Sequence, residues 1–171
     1  MVYVGTFSKV LAPGLRFGYL VLPPGLVDAF TAARALADRQ PPGPGQAILA
    51  EFIHRGHLAR HVRRMRGLYE ARRDALAGAV TRHAGGLLAV VPPSCGLHVV
   101  GDLLQPDLSD VDVYRHALQR GLQTPPLSAY YTEAPARSGL LLGFASTAED
   151  LMDGSVRSLV AAMKASSRRR G

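Results

Sequence analysis

What this sequence has little of narrows its class first. A single cysteine, Cys95, in 171 residues excludes an internal disulfide. No histidine or second cysteine stands at metal-ligand spacing from it, which leaves zinc and dithiol redox chemistry without support. Pro92-Pro93-Ser94 before it and Gly96 after it read as a turn into a strand, and Cys95 there reads as a small structural thiol. Long hydrophobic runs are also missing. Prolines, glycines and arginines interrupt every apolar stretch before it reaches the roughly 18 residues that a membrane span needs. The opening Met1-Val2-Tyr3-Val4-Gly5 has no charged region, extended apolar region or small-residue cleavage site, so no secretory signal is read and a cytoplasmic location is expected. Acidic residues are outnumbered, 13 against 20 Lys and Arg, for a formal charge of +7. Such an excess raises nucleic acid as a partner. Its placement in His54 to Arg73 and in Arg168-Arg169-Arg170, with few aromatics interleaved, favours a solvated face and a solvated tail.

What is present is the material of a folded domain. Hydrophobic residues make up 47% and charged residues 19% of the chain, a globular balance, and the length suits one domain, or one and a part. Val2-Tyr3-Val4 is too short for a comfortable opening strand and runs straight into the Gly5-Thr6-Phe7-Ser8 turn, as if the chain began inside a domain. Phe17 to Leu22, bounded by Pro23-Pro24-Gly25, reads as a buried strand. Leu26 to Arg39 repeats apolar residues at the helical period until Pro41-Pro42-Gly43-Pro44-Gly45 intervenes as a loop. A helical pattern covers Gln46 to His54, and a long amphipathic helix covers Leu58 to about His83. Leu58, Val62, Met65, Leu68, Tyr69, Leu76 and Val80 lie on one side of it, with Arg60, Arg63, Arg64, Arg66, Arg72 and Arg73 on the other. Short strands are predicted at Leu87 to Val91 and Leu97 to Val100, a helix over Val111 to Arg120 ended by Gly121, and a buried strand at Leu140 to Ala145. A last helix, N-capped by Thr147 with Glu149 and Asp150 in its first turn, runs to about Ala165.

Chemistry concentrates near the N-terminus. Within Thr6-Phe7-Ser8-Lys9 and Pro13-Gly14-Leu15-Arg16, two hydroxyls, two cations and nearby glycines offer the donors and the close backbone approach that a phosphate group needs. A lysine amine also condenses with a carbonyl compound to an imine, which makes Lys9 a candidate covalent catalyst. Composition alone favours Lys9 as a solvated lysine in a glycine-rich loop. His54, His57 and His61 recur at helical spacings, but Gly56 breaks the register and no carboxylate completes a metal set. His98, Tyr130 and Tyr131 read as packed residues.

The stretch Tyr3-Val4-Gly5-Thr6-Phe7-Ser8-Lys9 through Pro13-Gly14-Leu15-Arg16-Phe17-Gly18-Tyr19-Leu20 resembles the cofactor-lysine motif of class I and II aminotransferases of fold type I, and most of all the aminotransferase-like domain of MocR-type regulators of the GntR superfamily. Likeness continues through Gly56-His57-Leu58-Ala59-Arg60-His61-Val62-Arg63-Arg64-Met65-Arg66, Tyr69-Glu70-Ala71-Arg72-Arg73-Asp74, Gly96-Leu97-His98 and Gly139-Leu140-Leu141-Leu142-Gly143-Phe144-Ala145, and so covers nearly the whole chain. The resemblance implies an α/β chain holding the C-terminal part of the large domain of the fold type I pyridoxal-phosphate-dependent transferases, plus their small C-terminal α+β domain. On that template residues 1–55 are a remnant of the large domain, 56–84 a connecting helix, 85–165 the small domain and 166–171 a disordered basic tail.

By the same resemblance Lys9 matches the lysine that forms a Schiff base with pyridoxal 5'-phosphate, Arg16 the arginine that pairs with the cofactor phosphate, and Thr6 a hydroxyl ligand of that phosphate, with Ser8 a weaker member of the cradle. Two departures stand out. Leu141 occupies the position where many of these enzymes hold the substrate carboxylate with an arginine, and an aliphatic side chain cannot make that bidentate pair; Arg137, four residues upstream, reads as a surface-loop arginine. The groups that the family uses around the pyridine ring lie upstream of its lysine, so the chain reads as the C-terminal part of a longer homodimeric protein. That parent is expected to be either a regulator sensing the cofactor or an amino compound, with DNA bound through a separate winged helix, or a free-standing transaminase. An inactive remnant is the further alternative.

Overall fold

The computed structural model describes residues 1–38, 43–133 and 137–167. The chain divides into two compact units, Met1–Arg64 and Met65–Gly171.

In the first unit the strands β1 (Tyr3–Thr6) and β2 (Gly18–Val21) form an antiparallel pair in the register Tyr3 with Val21 through Thr6 with Gly18. The opening segment is therefore a strand after all, because β2 supplies the ladder that a three-residue run cannot supply for itself. Nor is β2 buried: all four of its residues are exposed. Its apolar run was the signature of burial, but no described element of the unit covers it. Gly5 stands opposite Tyr19, and a Cβ there would run into the tyrosine ring, so only glycine fits this rung.

Helix α1 (Val27–Asp38) follows Pro23-Pro24 and is rich in alanine, the strongest helix former, with Asp28 in its first turn to complement the helix dipole. Helix α2 spans Gly43–His54. The expected loop Pro41–Gly45 is thus corrected in part: Gly43, Pro44 and Gly45 belong to the helix, whose first turn accepts proline because its N–H would lack a partner there anyway. Pro41 and Pro42 lie outside the described residues. Gly56, at φ +72°, ends α2 in the left-handed region, and α3 (His57–Ala84) then runs for 28 residues.

In the second unit the C-terminal half of α3, α4 (Asp110–Leu118) and α5 (Met152–Ser167) join a three-stranded antiparallel sheet in the order β3 (Leu88–Val90), β4 (His98–Leu103) and β5 (Gly139–Gly143). Side chains alternate across strands, so Val99, Leu140 and Leu142 reach the core. Leu76, Val80 and Ala84 of α3, Val113 and Ala117 of α4, and Val156, Leu159 and Met163 of α5 meet them at helical spacing. Ser109 caps α4, its hydroxyl accepting from the Asp112 N–H.

Other expectations are corrected here. Thr147 does not cap the last helix; a short 3-10 turn, Glu149–Leu151, starts after Ala148 and leads into α5 with no side-chain cap. Arg72 and Arg73 are not on a solvated face: both are half-buried, Arg72 donating to the Ala145 carbonyl and Arg73 to Asp74 and the Pro93 carbonyl. His98, Tyr130, Tyr131 and Cys95 are exposed rather than packed, because a three-stranded sheet with helices on one face leaves its other face and its loops in water. Arg168, Arg169 and Arg170 lie outside the described residues. Among the described residues no helix is long and apolar enough to cross a membrane.

Candidate functional site

The segment that carries the candidate residues is the connection between β1 and β2. Thr6 ends β1 and its hydroxyl accepts from the Ser8 N–H at 3.2 Å, capping a single helical turn in which the Val10 and Leu11 amides both donate to the Phe7 carbonyl, at 3.2 and 2.8 Å. Lys9 sits on that turn, exposed. After it, Pro13–Leu15 forms a 3-10 turn whose last amide bond is made by Arg16, N–H to the Pro13 carbonyl at 3.3 Å.

Closure of the hairpin brings the two halves together. The Phe7 N–H donates to the Phe17 carbonyl at 3.0 Å, and the Thr6 hydroxyl lies 3.4 Å from the same oxygen. The Thr6-Ser8 turn and the Arg16-Phe17 segment are thereby side by side, although eleven residues separate Thr6 from Phe17. Among the described residues Arg16 is the non-glycine residue with positive φ, at 53°, a conformation that costs about 1 kcal/mol or more for an L-residue. Strain of this kind persists where surrounding bonds fix it, and it accompanies functional positions.

Arg16 also lines a cavity of about 650 Å³ between the hairpin and α2, with Phe17, Tyr19, Gln46, Leu49 and Ile53 among its walls. Lys9, Thr6 and Ser8 are not among its lining residues. Next to it, Tyr19 packs its ring against Phe7 at 5.5 Å and Tyr3 at 6.0 Å between centroids. A side-chain hydrogen bond donated toward Tyr3, then the negative charge of an ionised Tyr3, raises the Tyr19 phenol above its ordinary pKa. Hydroxyl, guanidinium and backbone N–H groups near a lysine amine are donors suited to a phosphate ester carrying a carbonyl, so the residues fit pyridoxal phosphate chemically.

Sequence reading missed two contributors. One is the left-handed Arg16, for which Gly14-Leu15-Arg16 gave no signal, since glycine was the residue available for such a bend. The other is His61, which donates to the Val10 carbonyl at 2.9 Å; a pairing 51 positions apart leaves no local trace. Neither His57, with its ring 5.4 Å from Phe52, nor His61 belongs to a group of three or more His, Cys, Asp or Glu side chains arranged for a metal among the described residues.

The second unit places Leu141 half-buried on β5, opposite Val100. Arg137 is exposed and donates to both oxygens of Asp102, at 2.6 and 2.8 Å. That bond, foremost, raises the guanidinium's pKa further and keeps it charged.

Similarity to known proteins follows the same outline. The model of the family "Aminotransferase class I and II" matches residues 1–154. The chain is 34% identical over 165 residues to the probable rhizopine catabolism regulatory protein MocR of Rhizobium meliloti, covering 96% of this chain and 33% of that protein. It superposes on the multiple substrate aminotransferase of Thermococcus profundus with a TM-score of 0.84 at 27% identity, over 98% of this chain and 41% of that one. With LysN, the α-aminoadipate aminotransferase of Thermus thermophilus solved with N-(5'-phosphopyridoxyl)-L-leucine, the TM-score is 0.83 at 27% identity, over 96% and 42% of the two chains. The chain thus spans about a third to two-fifths of the length of these relatives. Its fold is that of the fold type I transferases, and the chain belongs to the aminotransferase class I and II family.

Proposed function

We propose that this chain is the lysine-bearing part of a pyridoxal-phosphate-binding domain in which Lys9 bonds covalently to the cofactor while Arg16 and Thr6, with Ser8 more loosely, hold its phosphate. The observation that carries the reading is the closure of the β1–β2 hairpin, which lays the Thr6-to-Lys9 turn beside a strained Arg16. When bound, the cofactor supplies an electron sink for amine chemistry. The chain's own residues orient it: Thr6 and Ser8 offer their hydroxyls, Arg16 a planar fork matched to phosphate oxygens, and Lys9 the amine.

Within this reading residues 1–55 belong to the cofactor-binding domain, 56–84 connect, 85–165 form the small domain, and 166–171 are a basic tail. The parent protein is a cytoplasmic homodimer that senses pyridoxal phosphate or an amino compound, as a MocR-type regulator whose DNA contacts lie in a winged helix outside residues 1–171. Leu141 favours regulation over transamination, because it cannot pair with a substrate carboxylate and Arg137 is already engaged by Asp102. The alternative, a transaminase, is favoured by the 27% identity to enzymes of known structure. In the full-length protein, cofactor binding produces a visible absorption band that Lys9→Ala abolishes; persistence of that band in Lys9→Ala overturns the assignment. Turnover of amino acids by the same protein would move the reading to the transaminase.

A further inference from the structure

The carbonyl of Val10, adjacent to Lys9, accepts its hydrogen bond from the Nε2 of His61, on the second turn of α3. A carbonyl only accepts, so the ring nitrogen facing it carries a proton. This bond matters because of what the lysine turn lacks. It is one helical turn, closed by the Val10 and Leu11 amides on Phe7, and one turn does not persist alone, since several dihedrals are fixed for few hydrogen bonds. Burial holds it only in part: Lys9 and Val10 are exposed, while Phe7 is half-buried against Tyr19. On its near side the turn is tied to Phe17 through Phe7 and Thr6. On its far side, among the described residues, the hydrogen bond from His61 ties it to another element.

We infer that His61 is a positioning residue for Lys9, holding the lysine turn closed so that the amine stands at a fixed distance from the phosphate donors Thr6 and Arg16. The inference rests on the proposed cofactor role of Lys9 and adds a residue that the motif around Lys9 does not contain. Its chemistry is specific. The bond needs a donor at the reach of Nε2, which glutamine reproduces with its own Nε2 and phenylalanine, of similar ring size, does not. With the bond lost, the turn opens, and a cofactor docked by its phosphate finds the amine less often.

The 171-residue chain has two lysines, Lys9 and Lys164, which makes the test internal to one molecule. Pyridoxal phosphate is added to the full-length protein carrying this chain and its imines are trapped with borohydride: the amine and aldehyde condense with loss of water, and hydride plus a proton reduce the C=N bond to a stable secondary amine. Peptide mass mapping then gives the Lys9-to-Lys164 labelling ratio. Lys9 is expected to be labelled in excess. The ratio falls about tenfold in His61→Phe, the scale of one hydrogen bond's loss, and returns toward the wild-type value in His61→Gln. Labelling of Lys164, exposed on α5, stays unchanged in both variants and serves as the reference amine. A wild-type ratio retained in His61→Phe, or a ratio lowered equally in His61→Phe and His61→Gln, overturns the positioning role while leaving Lys9 as the cofactor lysine. Equal labelling of Lys9 and Lys164 in the wild-type chain overturns the reading of Lys9 itself, and the role of His61 with it.

Discussion

Residues 1–64 and the unit that begins at Met65 are built from similarly apolar sequence, yet no described residue of the first is buried, while the second closes a continuous core from Leu76 to Met163. Val4, at 71% exposure, and Leu140, at 0%, are strand residues with similar propensity and opposite surroundings. Burial stabilises by about 25 cal/mol per Å² of apolar surface, so the second unit carries most of the burial stabilisation within these residues, and the candidate cofactor residues lie in the first. Where burial is missing, geometry rests on individual hydrogen bonds: Phe7 to Phe17, Ser8 to Thr6, and His61 to Val10.

The largest expected effect sharpens that contrast. Leu140→Ala removes a fully buried side chain and lowers stability by about 2–5 kcal/mol in urea denaturation, whereas Val4→Ala changes it by no more than about 0.5 kcal/mol. Equal costs at the two positions would break the comparison.

Next comes Asp110, 4% exposed, whose carboxyl accepts from the Ser128 N–H and hydroxyl at 2.9 and 2.8 Å and from the Gly139 N–H at 3.2 Å. Asp110→Ala strands two backbone donors and costs about 2–3 kcal/mol by the same measurement. An unchanged urea midpoint would show that the bonds to Asp110 contribute nothing.

Smaller, and opposite in sign, is Arg16→Gly. Relief of the left-handed strain raises stability by about 1 kcal/mol, while labelling of Lys9 by pyridoxal phosphate declines with the lost guanidinium. A variant that labels like the wild type would separate strain from function at this position.

The smallest effect lies at Asp153, which joins α3 to α5 by accepting from Arg82 at 3.0 Å and from His83 at 2.8 Å. The bond from Arg82, then the one from His83, holds its pKa below the ordinary carboxylate range. A depressed carboxyl stabilises above its unfolded pKa and loses that contribution as pH falls through its folded pKa. Asp153→Asn therefore melts below the wild type near neutral pH and converges with it in acid. Parallel melting curves across that range would remove Asp153 from the account.

Legibility in the sequence followed the same division. Helices α3, α4 and α5 and the strand Leu140 to Leu142 were readable because apolar periodicity records a face that is buried, as Leu76, Val113 and Val156 are; α1 was readable by the same periodicity although its apolar residues Val27, Phe30 and Leu36 are exposed. The apolar run misled at β2, which lies exposed, and residue type misled at His98 and Tyr130, which are exposed as well. The lysine turn was legible through its motif, as a row of residue types. Its holding bonds were not: the left-handed Arg16 and the bond from His61 exist only after α3 and the hairpin are in place.

Assignment of Lys9 as the cofactor's covalent partner is read most directly from the site of attachment. Full-length protein carrying this chain is incubated with pyridoxal phosphate, reduced with borohydride, digested and mapped by mass. The phosphopyridoxyl group is expected on the peptide containing Thr6-Phe7-Ser8-Lys9; its recovery on Lys164 or on a lysine outside these residues, with Lys9 unmodified, would overturn the assignment.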